Sequence, residues 1–314
     1  MNLLPASPPQ PVDATGRVPR GRRALVLGGG GSTGNAWLIG VVAGLFDAGL
    51  DVTTADLTVG TSAGATAAAQ LAGATPPELL AAVLATTPPR RTGPVGPDAR
   101  RGPAAPVTDH LDRFRRIIAD AADAADMRRT MGAATLDAEA SSDTAGQARW
   151  RATVASRLPG RDWPHRAVLI TAVDAHKGDP VVFDRHSGVD LVDAVAASTS
   201  GGGSAFRIRG RGYIDGGYRT NAENADLAAG YDRVLVLSPL GGRSLYPPEW
   251  GTHLSTQVDA LRAGGSRVET IVPESGSEHL FGANAMDLSL RPLAARAGEE
   301  QGRALAERLV ELWR

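Results

Sequence analysis

Residues 57–65 read Leu-Thr-Val-Gly-Thr-Ser-Ala-Gly-Ala. The first three residues are typical of a short buried strand, and the alanine-rich segment that follows is typical of a helix. Between them, Gly60, Ser62 and Gly64 form a Gly-x-Ser-x-Gly pattern, in which a sharp turn exposes the central side chain. The pattern is weak evidence by itself, because a chain with 38 glycines can match it by chance. Ser62 is therefore a candidate nucleophile whose role depends on other motifs.

The composition limits the class of protein. The chain has 314 residues, 42% of them hydrophobic, which is enough for one large α/β domain or two smaller ones. A net charge of -1 gives no indication of nucleic-acid binding. The chain has no cysteine, which excludes disulfides and fits a reducing compartment. Since no apolar run reaches the roughly 18 residues of a membrane span, we expect a soluble, cytoplasmic protein.

A glycine-rich segment precedes the serine motif. Residues 24–27, Ala-Leu-Val-Leu, predict a buried strand, and residues 28–34 read Gly-Gly-Gly-Gly-Ser-Thr-Gly. A helical pattern follows over residues 36–48. Strand, glycine loop and helix are the first half of a βαβ unit, and residues 57–59 supply its second strand.

The glycine loop permits two interpretations. The spacing of Gly29, Gly31 and Gly34 also fits a dinucleotide-binding fingerprint, which requires an acidic residue at the end of the second strand. Asp51 and Asp56 lie near that spacing, but both precede the strand. What ends the strand is the serine turn, and an acyl-transfer site needs exposed N–H groups close to its nucleophile. This arrangement favours an oxyanion hole over a pyrophosphate site.

The rest of the chain alternates strand and helix patterns, which predicts an α/β fold with a mainly parallel sheet covered on both faces. The predicted strands cover residues 167–173, 180–183, 206–208, 213–214, 233–237 and 268–273. The predicted helices cover residues 65–84 with a break at 75–77, 108–121 capped by Thr108 or Asp109, 145–158, 191–197, 254–261 and 292–313.

Two segments differ from this pattern in composition. Residues 1–23 are rich in proline and arginine and are expected to form a disordered tail. Residues 86–107 have a similar composition and interrupt the single domain predicted over residues 24–314. This insertion is either a disordered surface segment or a mobile basic lid beside a substrate entrance.

Asp215 stands at the end of the predicted hairpin and is followed by Gly216 and Gly217. An Asp-Gly-Gly turn is common in proteins, so it has little weight alone. The glycine loop, the Ser62 turn and Asp215-Gly216-Gly217, in this order, resemble the patatin-like phospholipases. The resemblance covers essentially residues 25–309.

The resemblance implies a three-layer α/β/α sandwich and a serine hydrolase with a Ser62–Asp215 dyad. Ser62 would be the nucleophile, and Asp215 would be the general base. It also implies that the N–H groups of Gly29, Gly30 and Gly31 form the oxyanion hole. The glycines that support the elbow and the loops are Gly60, Gly64, Gly34, Gly216 and Gly217. The implied substrate is a lipid or another acyl ester, hydrolysed without a metal or organic cofactor. Transient contact with a membrane surface is expected only from the family, and the sequence does not indicate the oligomeric state.

Two departures from the family and three alternatives stay open. The family's glycine loop usually carries a basic residue where Thr33 stands, and residues 198–204 are rich in glycine and serine where many members have a proline-containing turn. A Ser-Asp-His triad with His253 or His279 is one alternative. A nucleotide-binding protein that uses residues 29–34 is another. The third is a catalytically silent regulatory protein with the same fold.

Overall fold

The computed structural model describes residues 21–85, 104–140, 145–201 and 203–314, without the side chains of residues 104–110, 138–140 and 145. Residues 1–20 of the predicted tail and residues 86–103 of the predicted insertion lie outside this description. These parts stay predictions, whereas the predicted ends are wrong: Arg23 begins a strand, and residues 104–107 begin a helix.

The described residues form one central sheet of eight strands. The strands are β1 (Arg23–Leu27), β2 (Leu57–Gly60), β3 (Ala167–Asp174), β4 (Pro180–Phe183), β5 (Phe206–Ile208), β6 (Arg211–Asp215), β7 (Arg233–Leu237) and β8 (Arg267–Ile271). Their order is β5-β6-β3-β2-β1-β7-β8, and β4 pairs with β3. The pairs along β3-β2-β1-β7-β8 are parallel, whereas β3–β4, β3–β6 and β5–β6 are antiparallel. The predicted mainly parallel sheet is confirmed.

Helices cover both faces of the sheet. They are α1 (Gly31–Asp47), α2 (Ala63–Gly73), α3 (Pro76–Ala85), α4 (Ala104–Asp120), α5 (Ala124–Ala140), α6 (Ala145–Arg157), α7 (Leu191–Ser198), α8 (Leu254–Ala263) and α9 (Arg291–Trp313). Short 3-10 helices cover Val52–Thr54, Gly216–Tyr218, Ala225–Ala228, Pro248–Trp250, Ser275–Leu280, Gly282–Asn284 and Leu288–Leu290.

Alternation along β1 shows how the layers form. Leu25 and Leu27 pack into the core with α1 and α9, whereas Ala24 and Val26 pack into a second core with α8. Because successive side chains of a strand point to opposite faces, both faces of the sheet are buried. The result is a three-layer α/β/α sandwich. A third apolar cluster, with α4 and α5, lies against β6.

Helices α1 and α9 run side by side at very short range. A Cβ atom added to Gly40 would collide with the Ala295 carbonyl group, and one added to Gly298 would collide with the Trp37 carbonyl group. Gly44 and Gly302 make equally close approaches to the facing backbone. These glycines let the two backbones touch, which fixes the N-terminus of α9 beside the N-terminus of α1.

Several predicted boundaries are wrong. Helix α1 begins at Gly31 instead of residue 36, because the glycine loop turns directly into the helix. Helix α4 begins at Ala104, so Thr108 and Asp109 lie inside it and do not cap it.

Candidate active site

The Ser62 turn joins β2 to α2. Ser62 lies between these elements with φ 52° and ψ -111°, a backbone conformation that residues with a Cβ rarely adopt. Gly64 is obligatory here because a Cβ atom would collide with the Leu27 carbonyl group of β1. At Gly60, a Cβ atom would lie 2.8 Å from the Cα atom of Ala65. Close packing on both sides therefore holds Ser62 in a strained, half-buried turn.

Strand register places Asp215 close to this turn. Gly60, the last residue of β2, pairs with Ile170 of β3. Two residues further along β3, Ala172 pairs with Asp215, the last residue of β6. The Asp215 carboxylate accepts a hydrogen bond from the Gly217 N–H at 2.8 Å. The Ser62 side chain lies beside the same carboxyl group, close enough to lower its pKa.

The surroundings of Asp215 favour its neutral form. Burial raises the pKa of this carboxyl group from 3.8 to about 6, although the hydrogen bonds from Gly217 and Ser62 act to lower it. An aromatic cluster lies beside it, in which the ring of Phe114 contacts those of Tyr218 and Tyr246 at centroid distances of 5.2 and 5.9 Å. Burial also raises the pKa of both tyrosines, so they stay neutral. Asp215 is thus a better base than an exposed aspartate.

The glycine loop leaves the sheet beside the Ser62 turn. A Cβ atom on Gly29 would lie 3.5 Å from the Cβ atom of Ser62. The N–H of Gly29 donates to the Ala222 carbonyl oxygen at 2.7 Å. In the described part of the chain, the N–H groups of Gly30 and Gly31 have no acceptor. The geometry therefore does not support Gly29 as an oxyanion donor. Gly30 and Gly31 remain the candidate donors.

Close packing shapes this loop. Gly31 has φ +67°, and a Cβ atom there would come within 3.0 Å of Ala285 and 3.1 Å of the Met286 Sδ. On the other side, Cβ atoms on Gly30 and Gly34 would lie 2.6 and 3.1 Å from the Cβ atom of Pro239. The loop is thus enclosed by the segments that follow β7 and precede α9.

A buried polar network joins the two predicted catalytic segments. The Asn224 Nδ2 donates to the Thr61 Oγ1 and to the Gly216 carbonyl oxygen, both at 3.0 Å. The Thr61 Oγ1 also bonds to the Thr171 Oγ1 at 2.9 Å. Asn224 is fully buried and has φ 56°. Sequence reasoning missed this residue, and the only available signal was its place shortly after Asp215-Gly216-Gly217.

The backbone N–H of Ser62 has a partner of its own. It donates to the Ser198 Oγ at 2.9 Å, and Ser198 is fully buried at the end of α7. This N–H therefore holds the turn in place and is not free to bind a substrate. The glycine- and serine-rich segment noted in the sequence thus begins with a residue that supports Ser62.

The sequence matches the patatin-like phospholipase family over residues 25–228, a span that contains the glycine loop, Ser62 and Asp215. The chain belongs to this family. Family membership supports the hydrolysis of lipid acyl esters. No curated protein matches the sequence significantly.

Structural comparison finds ten matching chains, which include the three crystal structures that follow. VipD from Legionella pneumophila has 14% sequence identity and a TM-score of 0.43, with coverage of 93% of this chain and 68% of VipD. The type III effector ExoU has 16% identity and a TM-score of 0.40, with coverage of 92% and 53%. Full-length ExoU from Pseudomonas aeruginosa in complex with SpcU has 18% identity and a TM-score of 0.39, with coverage of 94% and 53%. This patatin-like chain therefore spans about half the length of ExoU.

The histidines predicted for a triad lie elsewhere in this patatin-like fold. The His253 Nε2 is 2.7 Å from the Tyr246 carbonyl oxygen. His279 is exposed, and its carbonyl oxygen accepts a hydrogen bond from Asn284. Among the side chains that the structure describes, no histidine contacts Asp215. The geometry gives the triad no support.

The acidic residues considered for nucleotide binding are also engaged elsewhere. Asp51 caps the 3-10 helix Val52–Thr54, and the Asp56 carboxylate accepts the Arg23 N–H at 2.8 Å. Both precede β2, whereas the glycine loop lies beside the end of that strand. Over the described ranges, no group of three or more acidic or histidine side chains is arranged to hold a metal ion.

None of the helices in the described parts of the chain is both long and apolar enough to cross a bilayer. The cytoplasmic location inferred from the sequence stays a prediction.

Proposed function

We propose that this chain is a serine-dependent lipid acyl hydrolase in which Ser62 is the nucleophile and Asp215 is the general base. The observation that carries the proposal is the position of the Ser62 side chain beside the Asp215 carboxyl group, close enough to lower its pKa. A serine hydroxyl is a poor nucleophile unless a base within hydrogen-bond distance accepts its proton. Membership of the patatin-like phospholipase family supports the choice of a lipid ester as substrate.

The proposed reaction has two halves. Ser62 Oγ attacks the ester carbonyl carbon while its proton passes to Asp215. The tetrahedral intermediate then expels the alcohol, which takes the proton back, and Ser62 is left acylated. In the second half, a water molecule attacks the acyl carbonyl carbon through its oxygen and gives a proton to Asp215. The carboxylic acid leaves, and Ser62 recovers its proton.

In this scheme, the N–H groups of Gly30 and Gly31 stabilise the oxyanion of the tetrahedral intermediate. Two observations support them: they have no acceptor within the described residues, and they stand at the N-terminus of α1. The positive end of the helix dipole favours negative charge at this position. Loss of one oxyanion donor typically costs about 2.7–4 kcal/mol of transition-state stabilisation.

We also propose transient contact with a lipid surface beside the glycine loop. Met286 lies against Gly31 and is 61% exposed, and Leu288 and Leu293, which follow it, are 45% and 50% exposed. Neighbouring exposed apolar side chains are typical of interaction surfaces. We expect Leu293→Ser to weaken sedimentation with phosphatidylcholine vesicles and to leave hydrolysis of a soluble ester unchanged. Equal sedimentation would contradict the lipid contact.

Labelling with a fluorophosphonate probe, followed by peptide mapping, tests the proposed dyad. We expect label on the Ser62 peptide of the wild type, none in Ser62→Ala, and much slower labelling in Asp215→Asn. Ser255→Ala and Asp259→Asn are matched controls, because both side chains are exposed on α8. His253→Ala and His279→Ala should label like the wild type, whereas in a triad enzyme the variant that lacks the triad histidine would lose the label.

The remaining alternatives correspond to distinct outcomes. Folded wild type that takes no probe and hydrolyses no ester would overturn the enzyme proposal and favour a silent regulatory protein. Tight binding of a nicotinamide or adenine nucleotide by the same unlabelled protein would favour the nucleotide-binding alternative.

A further inference from the structure

Arg291, the first residue of α9, bonds directly to the glycine-loop end of α1. Its Nη1 donates to the carbonyl oxygen of Ser32 at 2.8 Å and to the Ser32 Oγ at 3.1 Å. Its Nη2 donates to the Asn35 Oδ1 at 3.2 Å. The side chain is half-buried, and these oxygen atoms are all neutral. In the described parts of the chain, no carboxylate lies within ion-pair distance of this guanidinium.

This placement is electrostatically unfavourable in the resting protein. A cation at a helix N-terminus faces the positive end of the helix dipole. Burial lowers the pKa of Arg291, and so does the neighbouring charge of Arg157. The charges of the resting protein therefore do not explain why an arginine stands at position 291. The negative charge that the proposed reaction creates is the oxyanion, which would face the N–H groups of Gly30 and Gly31 next to Ser32.

The same guanidinium is connected to the helix that follows the nucleophile. Asn35, which accepts from Arg291, donates through its Nδ2 to the Gln70 Oε1 at 2.9 Å and to the Ala63 carbonyl oxygen at 3.4 Å. Ala63 is the residue directly after Ser62. A chain of hydrogen bonds therefore runs from α9 through the first turn of α1 to the first turn of α2.

We propose that Arg291 is a positioning residue for the oxyanion hole. It holds the first turn of α1 against α2, so that the Gly30 and Gly31 N–H groups stay in register with Ser62, and its charge adds to the positive potential there. Close packing between α1 and α9 fixes the backbone that carries it. The proposal rests on the proposed hydrolase function.

Arg291 is proposed to act through its hydrogen bonds to α1 and through its positive charge, and three variants separate these two contributions. Arg291→Lys keeps the charge but cannot bond to Ser32 and Asn35 with the same fork geometry. Arg291→Gln keeps a donor and removes the charge, and Arg291→Ala removes both. Arg296→Ala is the matched control, because Arg296 is exposed on the same helix. Thermal melting selects the variants that fold like the wild type, and Arg291→Lys and Arg291→Gln carry the test where Arg291→Ala does not fold.

The readout is the kinetics of hydrolysis of a soluble p-nitrophenyl ester. We expect kcat to fall roughly 10-fold to 100-fold in Arg291→Ala at a nearly unchanged KM, because an interaction made mainly in the transition state is lost. Arg291→Lys should lie between Arg291→Ala and the wild type. Guanidinium ion at millimolar concentration should restore part of the activity of Arg291→Ala and should not change that of Arg296→Ala.

The outcomes distinguish this proposal from the one it rests on. Wild type that hydrolyses no ester and takes no probe overturns both. Active wild type with unchanged kcat in folded Arg291 variants overturns the role of Arg291 alone. A loss of activity that follows the loss of thermal stability, with no recovery by guanidinium or by lysine, also overturns it.

Discussion

Asp215→Asn should make the protein more stable above pH 7 while it removes activity. The wild-type carboxylate must be ionised in a buried place to act as a base, and this ionisation costs free energy in the folded state only. Asparagine has nearly the same shape and still accepts the Gly217 N–H through its Oδ1. It carries no charge at any pH, so the folded variant is free of that cost.

The size of the effect follows from the pKa of Asp215. This pKa is raised from 3.8 to about 6 in the folded protein, and each unit corresponds to about 1.4 kcal/mol. Because the folded state holds the proton more tightly than the unfolded chain, the free energy of unfolding falls as pH rises from about 4 to about 6. Ionised Asp215 therefore lowers it by about 3 kcal/mol at pH 8. The penalty is mostly absent at pH 4, because this pH lies close to the pKa of 3.8 of the unfolded side chain.

Urea unfolding of the wild type and Asp215→Asn at pH 4, 5, 6, 7 and 8 measures this term. The stability difference in favour of the variant should grow by about 2 kcal/mol between pH 4 and pH 8. Glu223, whose pKa burial raises to about 7, titrates in both proteins and cancels in the difference. Asp259→Asn, an exposed control on α8, should show no such trend. A constant difference between the wild type and Asp215→Asn would refute the reasoning, since Asp215 would then titrate normally.

Two further predictions concern the base and its support. The kcat/KM of the wild type should rise with pH through about 6, as Asp215 loses its proton, and then stay level to pH 9; a profile still rising above pH 7 would contradict Asp215 as the base. Asn224→Ala should lower the free energy of unfolding by roughly 2–4 kcal/mol in urea, because it removes the buried hydrogen bonds to Thr61 and to the Gly216 carbonyl group and places alanine at a positive φ. Asn224→Gly also lacks the amide group but tolerates the positive φ, so its difference from Asn224→Ala measures the backbone strain alone. Wild-type stability in Asn224→Ala would contradict the role given to the Asn224 side chain.

The parts of the site that the sequence predicts are those encoded locally. The glycine loop and the Ser62 turn each follow a short apolar run, and Asp215 follows a hairpin pattern. In each case, residues within about ten positions determine the turn, and the order of the three turns indicates the family. The strand–helix alternation predicts the layers in the same way, because periodicity reports which side chains are buried.

The parts that the sequence does not predict depend on contacts between distant segments. The Asn224–Thr61 bond joins residues 163 positions apart, and the Arg291–Ser32 bond joins residues 259 positions apart. The same limitation applies at Gly29, whose N–H donates to the Ala222 carbonyl oxygen. No local pattern indicates that this carbonyl group will lie there. Motifs therefore predicted which segments meet, but not which N–H groups stay free.

In the proposed dyad, the basicity of Asp215 and its cost to stability have the same physical origin. Burial beside the aromatic cluster of Phe114, Tyr218 and Tyr246 disfavours the carboxylate, which raises the pKa to about 6 and makes it a stronger base. The same desolvation lowers the free energy of unfolding at neutral pH. A change that lets water reach the carboxylate should therefore stabilise the fold and weaken the base together. The rest of the molecule must offset this cost, and the buried Asn224 network and the close packing at Gly64 supply rigidity at the point where the strained Ser62 turn meets Asp215.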